Sequence, residues 1–143
     1  MDGATHYIEP FLGAGHVLFE LWRRDQAAGV RRQYVLNDLN GDLVNFFKVL
    51  RDRPRALKAR LATTLYSRRE LRDACKRRPG LSDIERARQF YVRCRQGVAG
   101  RVVGSTGWGI SKRRTNAGPA AFRNQVAMLD CFVEAMRAAY VDC

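Results

Sequence analysis

The residues best suited to chemistry lie in two short runs near the start of the chain. The first run is Glu9-Pro-Phe-Leu-Gly13-Ala-Gly15, in which glycines allow a sharp turn and a close approach of backbone to ligand. A helical apolar spacing begins after Gly15, so this turn opens onto a helix N-terminus, where backbone N–H groups attract anions. The run lacks the third glycine of a dinucleotide fingerprint and the Lys-Ser/Thr of a phosphate loop. It therefore favours a cofactor without pyrophosphate, with an ordinary tight turn as the alternative.

An acidic residue in the second run points to a nucleoside ligand. Asp38 directly follows the run Tyr34-Val-Leu-Asn37 and lies 23 residues after Gly15. A carboxylate about 20 residues beyond a glycine turn, at the end of the next strand, can accept hydrogen bonds from ribose hydroxyls. The alternative is that Asp38 only caps the helix that follows. Because the glycines and the carboxylate occur in this order, we expect a nucleoside-containing cofactor.

Two strands and the helix between them must position these residues. Tyr7-Ile8 can end a buried strand, a helical apolar spacing runs from Gly15 to Gly29, and the second strand ends at Asn37. A helix of this length between two strands indicates a parallel pair. Further helices are predicted from Asn40 to Pro54, from Arg55 through Leu61, after capping boxes that begin at Ser67 and Ser82, and as one long helix from Pro119 to Tyr140 whose apolar stripe faces the core.

This pattern predicts an α/β fold with an incomplete sheet. Two parallel strands are too few for an independent sheet, since parallel sheets are covered on both faces and contain more strands. The residues Val141-Asp-Cys143 lie where a further strand could begin. We therefore expect the chain to be a piece of a larger α/β domain.

The positive charge is concentrated in one part of the chain. The net charge is +12, and between Arg86 and Leu129 nine basic residues occur without an acidic one. A polyanion is the expected partner of such a segment. Its glycine-rich part, Gly97 to Gly118, is predicted to be a loop or a hairpin. The residues expected to contact phosphates or bases are Arg95, Arg101, Lys112, Arg113 and Arg114, with Trp108 as a stacking surface.

Other readings of that segment stay open, and several function classes are excluded. The run Lys112 to Arg114 could be a solvated loop, and Trp108 could be a packing aromatic. The cysteines have no Cys-x-x-Cys spacing, so no metal site is predicted. The chain has neither an apolar run of about 18 residues nor a signal-peptide pattern. We expect a soluble protein of the cytoplasm.

These motifs resemble the D12-class DNA adenine-N6 methyltransferases. The similarity covers most of the chain, and its first two motifs are the specific ones. The segment after Arg95 is looser, because Val98 and Ala99 stand where the family has an aromatic residue and Asn. The motifs that carry the resemblance are Tyr7–Gly15, Tyr34–Asn40, Val49–Pro54, Phe90-Tyr91, Arg95–Gly100 and Trp108-Gly109.

The resemblance implies a reaction, a fold and a site. It implies transfer of a methyl group from S-adenosylmethionine to adenine in double-stranded DNA, on a Rossmann-like sheet with an inserted helical DNA-recognition region. Residues 1–54 would form the cofactor-binding βαβ part, 55–118 the insert with its basic hairpin, and 119–143 a helix returning to the core. Asp38 would hold the ribose hydroxyls. The methionine side of the cofactor would be lined by Glu9, Pro10, Phe11, Gly13 and Gly15.

The chain departs from the family at the catalytic step. The family's catalytic signature is Asp/Asn-Pro-Pro-Tyr/Phe, and none of the four prolines here is next to another. The family's upstream lysine motif is also absent. We therefore assign no catalytic residue, expect this chain alone to be inactive, and expect a second chain to supply the motif unless the coding sequence is truncated or decayed. The alternative functions are a non-catalytic basic nucleic-acid-binding module and a different Rossmann-type nucleotide enzyme.

Overall fold

The computed structural model describes residues 4–76, 78–98, 107–109 and 117–142 of the 143-residue chain. Within these ranges it contains three short strands and seven helices. The strands are β1 (His6–Glu9), β2 (Gln33–Asn37) and β3 (Ala139–Asp142). The helices are α1 (His16–Ala28), α2 (Gly41–Asp52), α3 (Pro54–Ala62), α4 (Arg68–Ala74), α5 (Asp83–Gln96), α6 (Ala117–Ala127) and α7 (Asp130–Arg137).

The three strands form one parallel sheet with β2 in the centre. The order is β1-β2-β3, and both neighbouring pairs are parallel, as predicted for the first pair. Ile8 lies opposite Val35, and Val35 lies opposite Tyr140. Ile8 and Tyr140 are 67% and 63% exposed, so the described residues leave this face of the sheet uncovered. The α/β class is therefore observed, with a small sheet and a large helical part.

The core lies between the other face of the sheet and a layer of helices. Leu36 of β2 and Met136 of α7 have no exposed surface, and they belong to one apolar cluster with Leu18 and Leu50. Helix α2 contacts β3 and α7 on one side and packs along α5 on the other. The helices α3 to α6 are therefore joined to the sheet through α2 and α5.

The predicted long helix from Pro119 to Tyr140 is wrong. The chain forms two helices, α6 and α7, which are separated at Met128 and Leu129. Hydrogen bonds from the N–H of Leu129 to the carbonyl of Val126, and from Cys131 to Met128, span three residues instead of four and tighten the chain there. The prediction of at most two strands is also wrong. Tyr140 belongs to β3 and is exposed, because the chain becomes extended to pair with β2.

Local capping signals placed the other helix ends well. Asn40 caps α2 by accepting hydrogen bonds from two backbone N–H groups, and the hydroxyls of Ser67 and Ser82 accept from the N–H groups of Glu70 and Glu85. Neither glutamate returns a bond to its serine in the part of the chain that the structure describes. Both carboxylates instead bind the guanidinium of Arg88, which ties α4 to α5.

A buried ion pair fixes the connection between α1 and β2. The Arg32 guanidinium donates to both carboxylate oxygens of Asp25 at 2.8 and 3.2 Å, and the Tyr34 hydroxyl donates to Asp25 at 2.6 Å. Arg32 also donates to the carbonyl of Ala4 at 2.6 Å, just before β1. This cluster holds β1, α1 and β2 together at the end of the sheet opposite the glycine turn.

Among the described residues, no helix combines the length and apolar character needed to cross a membrane.

Candidate functional site

The two sequence runs singled out above meet at the carboxyl end of the sheet. The Leu12 N–H donates to the carbonyl of Asn37 at 2.9 Å, and the Asn37 side chain donates to the carbonyl of Pro10 at 3.4 Å. The Gly13 N–H donates to Oδ2 of Asp38 at 2.9 Å. These bonds fix the loop after β1 against the end of β2.

The glycine turn has the backbone conformation that its sequence predicts. Gly13 and Gly15 have φ angles of 51° and 72°, in the left-handed region that favours glycine. A Cβ on Gly15 would lie 2.8 Å from the Phe19 ring, so this position also requires a residue without a side chain. Gly15 is the N-cap of α1, and no described side chain caps the helix there. The turn therefore presents the N-terminus of α1 toward the loop.

Asp38 braces the turn and is not the cap of α2. Its Oδ2 accepts from Gly13, and its Oδ1 accepts from the N–H of Asn40 at 2.8 Å. The side chain of Asn40 caps α2, so the alternative role considered for Asp38 falls to its neighbour. Each carboxylate oxygen has two lone pairs, so the half-buried Asp38 can still accept hydrogen bonds from a ligand.

Glu9, at the end of β1, has a free acceptor beside this turn. Its Oε2 is buried and has no hydrogen-bond partner among the described residues. Burial raises the pKa of the Glu9 carboxyl, and the neighbouring Tyr7 hydroxyl opposes that shift. Burial, together with hydrogen bonding to Glu9, raises the pKa of Tyr7 to about 12. An unpaired carboxylate oxygen in this position suits a ligand that brings a donor or a positive charge.

Exposed apolar side chains flank the two carboxylates. Phe11 lies in the turn and is 73% exposed, and Leu39 follows Asp38 and is 88% exposed. Pro10 is exposed as well. Sequence reasoning missed Leu39, although its place directly after Asp38 could have signalled it. Such side chains can cover the apolar parts of a bound molecule.

Asp38 and Leu39 also form one end of a groove of about 1070 Å³. The groove runs between the first turn of α2, α5, and the loop 75–81 that joins α4 to α5. We call it the α2–α5 groove. Its wall carries four basic side chains, Lys76, Arg78, Arg86 and Arg93.

The predicted DNA-contacting residues fall into two sets. Arg95 is exposed at the end of α5, with its guanidinium 5.7 Å from the centre of the Tyr91 ring. Trp108 is half-buried and packs against the small cluster of Leu71, Ala74 and Val92. The other predicted contacts lie outside the described residues; they are Arg101, Lys112, Arg113 and Arg114.

The two described ends of the glycine-rich segment pair with each other. Gly97 and Trp108 form an antiparallel bridge, and the Val98 N–H donates to the carbonyl of Gly107 at 2.9 Å. Sequence reasoning missed Gln96, which is fully buried at this point. Its amide accepts from the Ser67 N–H and donates to the carbonyl of Leu65, at 3.0 and 2.8 Å. Gln96 therefore anchors the base of the segment to the loop between α3 and α4.

Comparisons with known proteins agree on one family. Residues 1–101 match the family model of the D12 class N6 adenine-specific DNA methyltransferases. A 53-residue segment is 34% identical to the Type II methyltransferase M1.LlaDCHI of Lactococcus lactis subsp. cremoris. That segment covers 37% of this chain and 16% of the relative, so the match spans a small part of the relative's length.

Proposed function

The chain belongs to the D12 class of N6 adenine-specific DNA methyltransferases, and on that premise we propose that it serves the transfer of a methyl group from S-adenosylmethionine to the N6 amine of adenine in DNA. The observation that carries the proposal is the hydrogen bond from Gly13 to Asp38. It joins the glycine turn and the acidic residue into one site at the carboxyl edge of a parallel sheet, where α/β proteins bind nucleotides.

The donor groups of this site match the polar parts of the proposed cofactor. Asp38 accepts hydrogen bonds from the ribose hydroxyls, through lone pairs that its backbone partners leave free. The unpaired Oε2 of Glu9 accepts from the ammonium group of the methionine part. The N-terminus of α1, which no described side chain caps, faces the methionine carboxylate. Phe11 and Leu39 cover the apolar surfaces.

When bound, the cofactor supplies a methyl group made electrophilic by its positively charged sulfur. The residues of this chain bind and orient the cofactor. We propose that residues 1–54 hold it, that 55–118 form the DNA-recognition region with Arg95 and Trp108 at its basic segment, and that 119–143 return to the core. Because the sequence has no Asp/Asn-Pro-Pro-Tyr/Phe run, the proposal assigns the catalytic groups to a second polypeptide and no methylation activity to this chain alone.

Binding of S-adenosylmethionine tests this proposal directly. Titration calorimetry should detect binding to the chain as given, and Asp38→Ala should abolish it while nonspecific DNA affinity persists. The matched control is Asp52→Ala, which removes an exposed carboxylate at the far end of α2, where it pairs with Arg51. A wild-type chain that binds DNA but not the cofactor would instead identify a non-catalytic nucleic-acid-binding module.

A further inference from the structure

The α2–α5 groove is larger than the site needs for the cofactor. Its volume of about 1070 Å³ is at the upper end of small-molecule pockets, which span roughly 300 to 1,000 Å³. Asp38 and Leu39 lie at one end, and the loop between α4 and α5 forms the opposite wall. The groove therefore continues from the proposed cofactor site to a surface that the cofactor does not explain.

The far wall has more positive than negative charge. Lys76 and Arg78 line it, and both reach the same carboxylate, Asp73, at 2.9 and 3.7 Å. A third cation, Arg69, approaches Asp73 at 3.9 Å. The side chains of Lys76 and Arg78 are 55% and 51% exposed. One carboxylate cannot neutralise three cations, so this wall can still attract an anion.

The near wall repeats this arrangement with two arginines from α5. Arg86 and Arg93 both bind Asp42, at 3.3 and 2.6 Å. Arg93 also donates to the carbonyl of Ala74 at 2.9 Å, and its Nε is buried without a partner among the described residues. Asp42 and Ala74 thus fix the position of Arg93. Arg86 is more open, with 41% of its side chain exposed.

We propose that the α2–α5 groove binds the phosphate backbone of double-stranded DNA through Lys76, Arg78 and Arg86. This inference rests on the proposed function for the identity of the polyanion. An open groove with cations on both walls suits a chain of phosphates better than a single small anion. The contact is additional to the segment from Gly97 to Gly118, because none of the residues that line the groove belongs to that segment.

The charges along the groove also give the DNA a direction. Asp38 is negative and lies at the end next to the glycine turn, so phosphates are disfavoured there. The cations of the α4–α5 loop favour phosphates at the opposite wall. A strand held in this way has its backbone against the loop and its bases toward Asp38 and Leu39. The groove therefore leads a base toward the site of the cofactor.

The salt dependence of DNA binding tests the groove. Fluorescence anisotropy with a labelled duplex should give a slope of log affinity against log salt that falls by about 0.9 for each phosphate contact removed. The test variant combines Lys76→Gln, Arg78→Gln and Arg86→Gln. The control combines Arg23→Gln, Arg24→Gln and Arg137→Gln, which remove the same charge from exposed helix surfaces outside the groove. We expect the slope to fall in the test variant and to change little in the control.

Further outcomes separate this proposal from the function on which it rests. Equal losses in the two triple variants, an unchanged slope in the test variant, or a wild-type chain that does not bind DNA would each overturn the groove proposal. The double variant Lys76→Gln and Arg78→Gln changes only two half-exposed side chains and gives the same test if loss of Arg86 unfolds the chain. Calorimetry with S-adenosylmethionine on the same proteins tests the cofactor site. Its failure alongside a reduced slope would reject the proposed function and leave the groove as a DNA contact.

Discussion

The backbone N–H of Gly13 donates a hydrogen bond to Oδ2 of Asp38 at 2.9 Å, although 25 positions separate the two residues in the sequence. The bond gives Asp38 two tasks. It fixes the glycine turn, and it keeps a charged acceptor at the carboxyl edge of the sheet. Because the same carboxylate also accepts from Asn40, its orientation is set before any ligand arrives. The cofactor proposed here would therefore meet a preorganised site.

Replacing Asp38 by asparagine separates these tasks. In Asp38→Asn the amide oxygen can still accept from Gly13, but the negative charge is lost. Hydrogen bonds to a charged group contribute about 1.5 to 3 kcal/mol, so we expect S-adenosylmethionine to bind about 10- to 100-fold more weakly. The melting temperature should change little. A large drop in melting temperature with normal affinity would show that Asp38 has only the structural role.

Substitutions in the glycine turn should destabilise the fold in a graded way. Gly13→Ala places a side chain at positive φ in open space and should cost about 1 kcal/mol. Gly15→Ala adds the contact with Phe19 and should cost more. The control, Gly41→Ala, lies in a helix with open space around it and should cost nothing. Urea unfolding measures the series, and equal costs at Gly15 and Gly41 would contradict it.

The exposed apolar residues beside the site should affect binding and not folding. Phe11→Ser and Leu39→Ser remove side chains that are 73% and 88% exposed, so the free energy of unfolding should stay within about 0.5 kcal/mol of the wild-type value. The affinity for S-adenosylmethionine should fall in both. Leu65→Ser is the matched control, since Leu65 is 70% exposed but does not belong to the two runs of the site. If all three variants bound the cofactor equally, Phe11 and Leu39 would have no part in the site.

The buried Asp25 should make stability depend on pH in the acid range. Hydrogen bonding to Arg32 holds the pKa of Asp25 below its ordinary value of 3.8. The carboxylate therefore contributes stability above about pH 4, and that contribution is lost as the pH falls through the lower pKa of the folded state. Asp25→Asn should cost about 1 to 3 kcal/mol at pH 7.

Chemical denaturation at several pH values checks the Asp25 prediction. The difference between the wild-type chain and Asp25→Asn should be constant from pH 5 to 7 and shrink below about pH 4. Asp52→Asn removes an exposed carboxylate and should show a much smaller effect at every pH. A difference between wild type and Asp25→Asn that does not change with pH would contradict the assigned role of the charge.

Gln96 should be essential to the base of the basic segment. Gln96→Leu leaves the Ser67 N–H and the Leu65 carbonyl without their partner, and buried polar groups in that state cost about 1 to 3 kcal/mol each. Hydrogen exchange at the Ser67 amide should become faster. Gln26→Ala, on the exposed surface of α1, should leave both unfolding and exchange unchanged. Slow exchange at Ser67 in Gln96→Leu would contradict the prediction.

Sequence reasoning succeeded where the determinants are local. Gly29 ends α1 in a left-handed conformation, and Asn40 caps α2, because such signals act within a few residues. It failed at Met128 and Leu129, since the apolar spacing continues unchanged through the break. The break depends on where β3 meets β2, which is a property of the whole fold. Gln96 was missed for the same reason, because its partners lie about 30 residues away.

The parallel order of the strands has a consequence for how the chain folds. Pairing of β1 with β2 joins His6 to Gln33, 27 positions apart, whereas pairing of β2 with β3 joins Tyr34 to Ala139, 105 positions apart. Closing the longer loop costs more entropy, and contacts of high sequence separation form slowly. During synthesis β1, α1 and β2 can assemble as soon as they emerge, while one edge of β2 stays unpaired until the last strand is made. The site formed by Gly13 and Asp38 can thus form early, before the sheet is complete.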